Sequence, residues 1–207
     1  MKLIVFGATG TIGTQLVRQA LNQNHSVTAF ARRARSIEFK HKNLKLISGN
    51  VLDPEKVKNA VYGHKAVMVA LGAGRQGNIR SEGTRNIIQA MEQSGVNRLV
   101  CLSTLGAGDS RNNLNFFWKH IMFGLFLRKA YADHQLQEEY IRNSSLTWTI
   151  VRPGAFTNGE RTEKYKHGFS SKEKNLRLKI SRADVADFML KQLSIDQYHF
   201  KSPAISY

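Results

Sequence analysis

The run Gly7-Ala8-Thr9-Gly10-Thr11-Ile12-Gly13 constrains the fold more than any other part of the chain. Its three glycines follow a short apolar run, residues 3–6, and precede a helical pattern. Gly7 permits a tight turn, Gly10 lets a pyrophosphate approach the backbone, and Gly13 lets the helix pack closely on the strand. The spacing therefore predicts a phosphate-binding turn in a first βαβ unit.

The start of the helix after this turn is expected to hold the anion. The first N–H groups of a helix have no partner within the helix, and the helix dipole favours negative charge there. The amides of Thr11 and Ile12 are the expected donors, with Thr9 beside them. A plain tight turn is the alternative, but the strand before and the helix after favour dinucleotide binding.

The end of the second predicted strand indicates which dinucleotide binds. An NAD site usually has an acid here, which binds the ribose 2′-hydroxyl. This chain has Arg32 and Arg33, and no acidic residue before Glu38. Guanidinium groups suit a 2′-phosphate, so we expect NADP(H) to be preferred over NAD(H). The alternative is that the two arginines belong only to the basic surface.

Short apolar runs alternate with helical patterns along the whole chain. The predicted strands are 3–6, 26–31, 44–48, 66–71, 98–103 and 147–151, and the predicted helices are 12–24, 54–62, 81–94, 118–143 and 182–194. Strands that are apolar throughout are expected to be covered on both faces. The pattern predicts an α/β fold: a Rossmann-type, doubly wound parallel sheet flanked by helices. Residues 1–207 would form one domain, with a short C-terminal substrate-side region from about 153 to 207.

The charge balance indicates a surface that attracts anions. Lys and Arg number 31 against 15 Asp and Glu, a formal net charge of +16. Basic residues concentrate between 161 and 182 and between 32 and 45. Nucleic acid is a disfavoured partner, because no base-reading motif accompanies these charges. Cys101 is the only cysteine, which excludes an intrachain disulfide and favours a reducing, cytoplasmic location.

The most apolar segment is 116–129. It is too short to span a bilayer. The interpretation that we favour is a helix packed on the sheet. The second interpretation in order of preference is a wall of the substrate pocket. A homodimer face and peripheral contact with an anionic membrane are the less favoured alternatives.

Several motifs together resemble the atypical short-chain dehydrogenase/reductases. They resemble most closely the NAD(P)H-binding branch that includes biliverdin reductase B, also called flavin reductase, and NmrA-like proteins. Besides the glycine run, the motifs are Leu71-Gly72-Ala73-Gly74, Ser103-Thr104 and Trp148-Thr149-Ile150-Val151-Arg152-Pro153-Gly154.

The resemblance implies positions for the rest of the cofactor site. Asn50 and Val51 would hold the adenine, and Ser103 with Thr104 would lie beside the nicotinamide. Two further groups would line and close the site: Leu71, Gly72, Ala73 and Gly74, and then Pro153, Gly154, Ala155 and Phe156. These positions follow predicted strands, where ligands bind in open parallel sheets. No metal is expected.

The broader superfamily uses a Tyr-x-x-x-Lys pair as its proton donor. The nearest candidate here is Tyr131, which has Gln135 where the lysine belongs, so carbonyl reduction of the standard type is disfavoured. The candidate catalytic residues are Thr104, Tyr131 and His134. We therefore expect a reductase of a planar conjugated acceptor, such as a flavin or a quinone. The alternative is a non-catalytic, NmrA-like NADP(H) sensor.

Overall fold

A computed structural model describes residues 1–72, 78–114, 116–170, 172–173 and 175–207. The strands are β1 Lys2–Phe6, β2 Ser26–Ala31, β3 Leu44–Ser48, β4 Ala66–Val69, β5 Arg98–Leu102, β6 Thr147–Pro153, β7 Ala155–Thr157, β8 Lys166–His167, β9 Lys179–Ser181 and β10 Ala204–Ser206. The α-helices are α1 Thr11–Asn22, α2 Pro54–Val61, α3 Ile79–Ser94, α4 Arg128–Arg142 and α5 Arg182–Lys191.

Eight strands form the main sheet, in the order β3-β2-β1-β4-β5-β6-β10-β8. All neighbours pair in parallel except β8, which is antiparallel to β10. The strand order reverses direction next to β1, so a crevice opens beyond the carboxyl end of that strand. The predicted Rossmann-type fold is confirmed.

The two faces of the sheet are buried by different helices. Leu3 and Val5 of β1 pack in a cluster with residues of α1 and α5. The next residues along the same strand, Ile4 and Phe6, face the other cluster, which includes residues of α2, α3 and α4. Because alternate side chains of a strand point to opposite faces, one apolar run supplies both cores. Cys101 of β5 is fully buried.

The prediction of one helix over 118–143 is wrong. A π-helical segment, Phe117–Phe126, comes first, and α4 begins only at Arg128. The break lies at Leu127, whose φ of −116° and ψ of 17° are not helical. Its N–H donates to the carbonyl oxygen of Met122 five residues back, at 2.7 Å, so the wide turn closes there.

The strands after β6 were not expected from the sequence. They are two to three residues long, which is too short for a recognisable alternation. Within the basic region, the backbone N–H groups of Thr162 and Glu163 donate to the buried carboxylate of Asp184 at 2.8 and 2.9 Å, and the hydroxyl of Tyr207 donates at 2.6 Å. This carboxylate therefore joins the 160s region and the last residue to α5. Among the described residues, no helix has the length and apolar character needed to cross a bilayer.

Candidate functional site

The glycine turn between β1 and α1 leaves no room for side chains at two positions. Gly7 has a φ of +78°, and a Cβ there would lie 2.3 Å from the carbonyl oxygen of Ala70. A Cβ on Gly13 would lie 2.1 Å from the carbonyl oxygen of Gly7. Both neighbours are backbone atoms and cannot swing aside, so these glycines are required by the packing of the turn itself.

No side chain in the described part of the chain caps the N-terminus of α1 with a hydrogen bond. Its N-cap residue is Gly10, which has no side chain, and no acidic residue lies in the first turn. The first hydrogen bond of the helix runs from the Thr14 N–H to the Gly10 carbonyl oxygen at 2.9 Å. The earlier amides, those of Thr11 and Ile12 among them, are therefore placed to bind an anionic ligand.

A cavity of about 280 Å³ lies against this turn and is called here the glycine-turn cavity. It lies at the carboxyl ends of β1, β2 and β4, where the fold places ligands. Its walls include eight of the predicted cofactor-binding residues: Gly7, Thr9, Gly10, Arg32, Asn50, Val51, Leu71 and Gly72. Ala73 and Gly74 lie outside the described residues.

The two predicted arginines lie in different places. Arg32 lines the glycine-turn cavity and is exposed. Arg33 is also exposed, but it precedes a short 3₁₀ turn and is not part of the cavity wall. Of the two, Arg32 is therefore the better placed for a 2′-phosphate.

The loop after β3 is held by specific contacts. The side-chain oxygen of Asn50 accepts a hydrogen bond from the Leu52 N–H at 3.1 Å, and the side-chain amide of Asn86 donates to the Val51 carbonyl oxygen at 3.1 Å. The side chain of Val51 packs on Gly83, where an added Cβ would lie 2.7 Å away. The loop therefore offers a preformed wall.

A second cavity, of about 190 Å³, lies beyond β5 and β6 and is called here the β5–β6 cavity. All three candidate catalytic residues, Thr104, Tyr131 and His134, line it. So does the predicted closing loop: Pro153, Gly154, Ala155 and Phe156. Apolar side chains complete much of the wall: Leu105, Leu114, Leu127, Ala130 and Leu178.

Two consecutive residues at the start of α3 line different cavities. Ile79 lines the glycine-turn cavity, and the next residue, Arg80, lines the β5–β6 cavity. The two cavities are therefore neighbours on this edge of the sheet.

Tyr131 has no lysine partner in the helical position that the wider superfamily uses, since residue 135 is a glutamine. Its hydroxyl donates to the carbonyl oxygen of Gly106 at 2.9 Å. The hydroxyl proton is thus engaged by the loop after β5, which suits a positioning role better than a proton donor.

His134 is neutral at physiological pH. Burial, and after it the nearby positive charge of Arg80, lower the pKa of its imidazole to about 4. Its Nδ1 atom is buried and has no hydrogen-bond partner among the described residues. This histidine can orient a ligand by hydrogen bonding, but it does not hold a transferable proton at pH 7.

Asp133, next to His134, caps the N-terminus of α3 from the neighbouring helix. Its carboxylate accepts hydrogen bonds from the backbone N–H groups of Arg80 and Ser81 at 3.2 and 2.9 Å, and from the Ser81 hydroxyl at 2.6 Å. Burial raises the pKa of this carboxyl, but these hydrogen bonds outweigh burial and hold the pKa below its usual value. The cap fixes the backbone at Arg80, which lines the β5–β6 cavity.

Ser103 contributes to the site only indirectly. It is 3% exposed and lines neither cavity, and its hydroxyl donates to Glu138 Oε1 at 2.6 Å. The same carboxylate accepts hydrogen bonds from Nε and Nη2 of Arg152 at 2.9 and 2.7 Å. This buried ion pair joins β6 to α4, and the Ser103 hydroxyl is bonded to it.

Part of the β5–β6 cavity wall could have been found in the sequence. Leu127, Ala130, Tyr131 and His134 have the i, i+3, i+4, i+7 spacing of one helical face. Leu178 has no such signal, because it reaches the wall from the basic stretch. Within the described part of the chain, no cluster of His, Cys, Asp and Glu could hold a metal ion.

A family model described as NAD(P)H-binding matches residues 7–196. The chain belongs to this NAD(P)H-binding family. The match begins at the first glycine of the turn and extends through α5. The resemblance to the atypical short-chain dehydrogenase/reductases is thereby supported at the level of family and fold.

The chain is similar to a yeast protein and to solved bacterial structures. The UPF0659 protein YMR090W of Saccharomyces cerevisiae is 28% identical over 207 residues, which cover 93% of this chain and 87% of the relative. A short-chain dehydrogenase/reductase of Veillonella parvula, solved in complex with NADP, aligns with a TM-score of 0.85 at 18% identity over 100% of this chain and 94% of that one. ChuY, an anaerobillin reductase of Escherichia coli O157:H7, gives a TM-score of 0.82 at 22% identity, over 100% and 97%. These two structures share the fold.

Proposed function

We propose that this chain is an NADPH-preferring reductase of a planar conjugated acceptor such as a flavin or a quinone. The observation that carries the proposal is that consecutive residues at the start of α3 line the two cavities, Ile79 the glycine-turn cavity and Arg80 the β5–β6 cavity. A dinucleotide and an acceptor bound in these neighbouring cavities would have their reacting ends side by side, which is the main requirement of hydride transfer.

The residues present fit a nicotinamide dinucleotide. The turn is free of Cβ atoms where it approaches β4, and the N-terminus of α1 offers uncapped amides for two phosphates. When bound, the dinucleotide would supply the hydride. Residues of the chain would hold it: the glycine turn at the pyrophosphate, Asn50 and Val51 at the adenine, and Thr104 with the loop 153–156 toward the nicotinamide.

The preference for NADPH rests on Arg32. It lies in the cavity wall at the end of β2, and neither neighbour in sequence is acidic. A guanidinium there attracts the 2′-phosphate, whereas a ribose 2′-hydroxyl lacks its usual carboxylate partner.

The β5–β6 cavity suits an acceptor that needs orientation more than a protein acid. Its walls are largely leucine, alanine and phenylalanine, the Tyr131 hydroxyl is bonded to Gly106, and His134 is neutral. A conjugated acceptor takes one hydride, and water supplies the proton that completes its reduction. NADP⁺ and the dihydro form of the acceptor are the products. ChuY, which shares the fold and is described as a reductase, supports this class of reaction.

Steady-state oxidation of NADPH with FMN, riboflavin and simple quinones tests the proposal. We expect turnover above the uncatalysed rate with at least one of these acceptors. If NADPH binds but no acceptor is reduced, the reductase proposal fails, and the non-catalytic sensor becomes the better account. If neither dinucleotide binds, both accounts fail.

Calorimetric titration tests the cofactor preference separately. We expect NADPH to bind more tightly than NADH, and Arg32→Ala to weaken NADPH binding by roughly tenfold or more, because a charge-assisted hydrogen bond contributes about 1.5–3 kcal/mol. Arg35→Ala is the matched control, since Arg35 is exposed and basic but does not line the cavity. Equal losses in both variants would show a general charge effect and refute a specific role for Arg32.

A further inference from the structure

Four exposed phenylalanines lie at or near the β5–β6 cavity and are called here the aromatic rim: Phe116, Phe117, Phe126 and Phe156. Their exposures are 72%, 51%, 59% and 40% respectively. Exposed aromatic side chains close to an apolar cavity mark a surface that binds something apolar.

The connection of the aromatic rim to the cavity follows from the chain. Phe156 itself lines the cavity, and so do Leu114 and Leu127, which flank the π-helical segment that carries the other three rings. The leucines therefore point to the cavity while Phe116 and Phe126, one or two residues away, are exposed to solvent. A helix simply packed on the sheet, the interpretation that the sequence favoured for residues 116–129, does not account for these exposed rings.

The surroundings of the aromatic rim are basic. Arg128 and Lys129 are exposed directly after Leu127, and the guanidinium of Arg182 lies 5.5 Å from the centre of the Phe156 ring. The sequence has no acidic residue between Leu114 and Ala132. The next one, Asp133, is buried and occupied by the cap of α3.

We propose that the aromatic rim docks on the surface of an anionic lipid bilayer. Phenylalanine rings insert at the boundary of head groups and acyl chains, and neighbouring Lys and Arg side chains contact anionic head groups. A second copy of this chain is a poorer occupant, because two surfaces of the same positive sign would have to meet in a molecule of net charge +16.

Co-sedimentation with vesicles, in the absence of cofactor, tests this proposal independently of the reductase activity. The probes are vesicles of phosphatidylcholine alone and vesicles with 30 mol% phosphatidylglycerol. We expect binding to the anionic vesicles only, and we expect the double variant Phe116→Ser/Phe126→Ser to lose about tenfold in partition coefficient, given the apolar area removed. Tyr62→Ser is the matched control, because Tyr62 is 76% exposed at the end of α2 and outside the aromatic rim.

A charge pair completes the test and keeps it decisive if the phenylalanine variant does not fold. Arg128→Gln/Lys129→Gln should weaken binding more than Lys40→Gln/Lys42→Gln, which removes the same charge from another exposed basic region. Equal losses would overturn the proposal in favour of attraction by net charge alone. Absence of binding to anionic vesicles would overturn it as well. So would a stable dimer in sedimentation equilibrium that Phe116→Ser/Phe126→Ser dissociates, since the second copy would then be the occupant.

Discussion

Alanine substitutions at Gly10 and Gly13 should separate the glycine that serves the ligand from the glycine that serves the fold. A Cβ on Gly13 would lie 2.1 Å from the Gly7 carbonyl oxygen and 2.8 Å from the Ala8 Cα, so α1 must move away from the turn. A Cβ on Gly10 would lie 3.2 Å from its nearest neighbour, the Gly7 carbonyl oxygen, and Gly10 has φ −74° and ψ 166°, which alanine adopts freely.

These geometries set the expected magnitudes. Gly13→Ala forces overpacking against backbone and should cost about 3 kcal/mol, which lowers Tm by roughly 6–12 °C for a chain of this size. Gly10→Ala loses a favourable N-cap residue and should cost about 1 kcal/mol, or roughly 2–4 °C. If the pyrophosphate lies against Gly10, the added methyl group should also weaken NADPH binding by about tenfold or more, because hydrogen bonds to a charged group contribute about 1.5–3 kcal/mol each.

Thermal unfolding followed by circular dichroism, and NADPH titration below the lower Tm, measure the two effects on the same samples. We expect Gly13→Ala to have the lower Tm of the two variants. We expect Gly10→Ala to be folded and yet to bind NADPH poorly. Wild-type affinity in a folded Gly10→Ala variant would refute the placement of the pyrophosphate at this turn.

Three further substitutions test the β5–β6 cavity and its support. The unfolded state protonates His134 near pH 6.5 and the folded state only near pH 4, so the contribution of the neutral imidazole to stability is present above pH 6.5 and falls by about 2 kcal/mol from pH 7 to 5. In urea unfolding, the free energy of unfolding of His134→Gln should therefore fall by about 2 kcal/mol less than that of the wild type between pH 7 and pH 5. An equal fall in both proteins would contradict the burial of this imidazole. Glu138→Gln leaves the 1%-exposed guanidinium of Arg152 without its main partner and should lower the free energy of unfolding by about 3 kcal/mol in the same assay. The double variant Glu138→Leu/Arg152→Met should regain most of that stability. Equal stability of Glu138→Gln and wild type would show that the ion pair is not formed in solution. Tyr131→Phe removes the hydrogen bond to Gly106, so the rate of acceptor reduction should fall less than tenfold, and a loss of a hundredfold or more would identify Tyr131 as the proton donor.

The elements that sequence patterns predicted best are those whose cause is local. β2 and β3 were predicted with their observed bounds, because a β-branched or apolar run between turn residues is sufficient to define a strand. Burial differs between them: β2 is buried from Val27 onward, whereas β3 lies at the edge of the sheet and has no buried residue. The N-cap of α5 has an equally local cause, since the Ser181 hydroxyl accepts a hydrogen bond from the Asp184 N–H at 3.0 Å. The glycine spacing was equally informative, because it indicates a strand, a turn and a helix that are adjacent in the sequence.

The surroundings of the candidate site were decided by tertiary contacts. Nothing near Ser103 in the sequence shows that its hydroxyl is taken by Glu138, 35 residues away, and so withdrawn from the cavity. The neutral state of His134 likewise depends on burial and on Arg80, which α3 supplies. The π-helical turn at Leu127 could not be read from a pattern that fits an uninterrupted helix equally well.

By itself the amino-acid sequence determined the βαβ alternation, the glycine turn and the family, because each depends on interactions between residues a few positions apart. Only the tertiary structure decided which side chains share a cavity, which hydroxyls and carboxylates are already bonded, and which phenylalanines remain exposed. The reason is that desolvation and long-range pairing depend on what packs against a residue, and that information is spread over elements far apart in the chain.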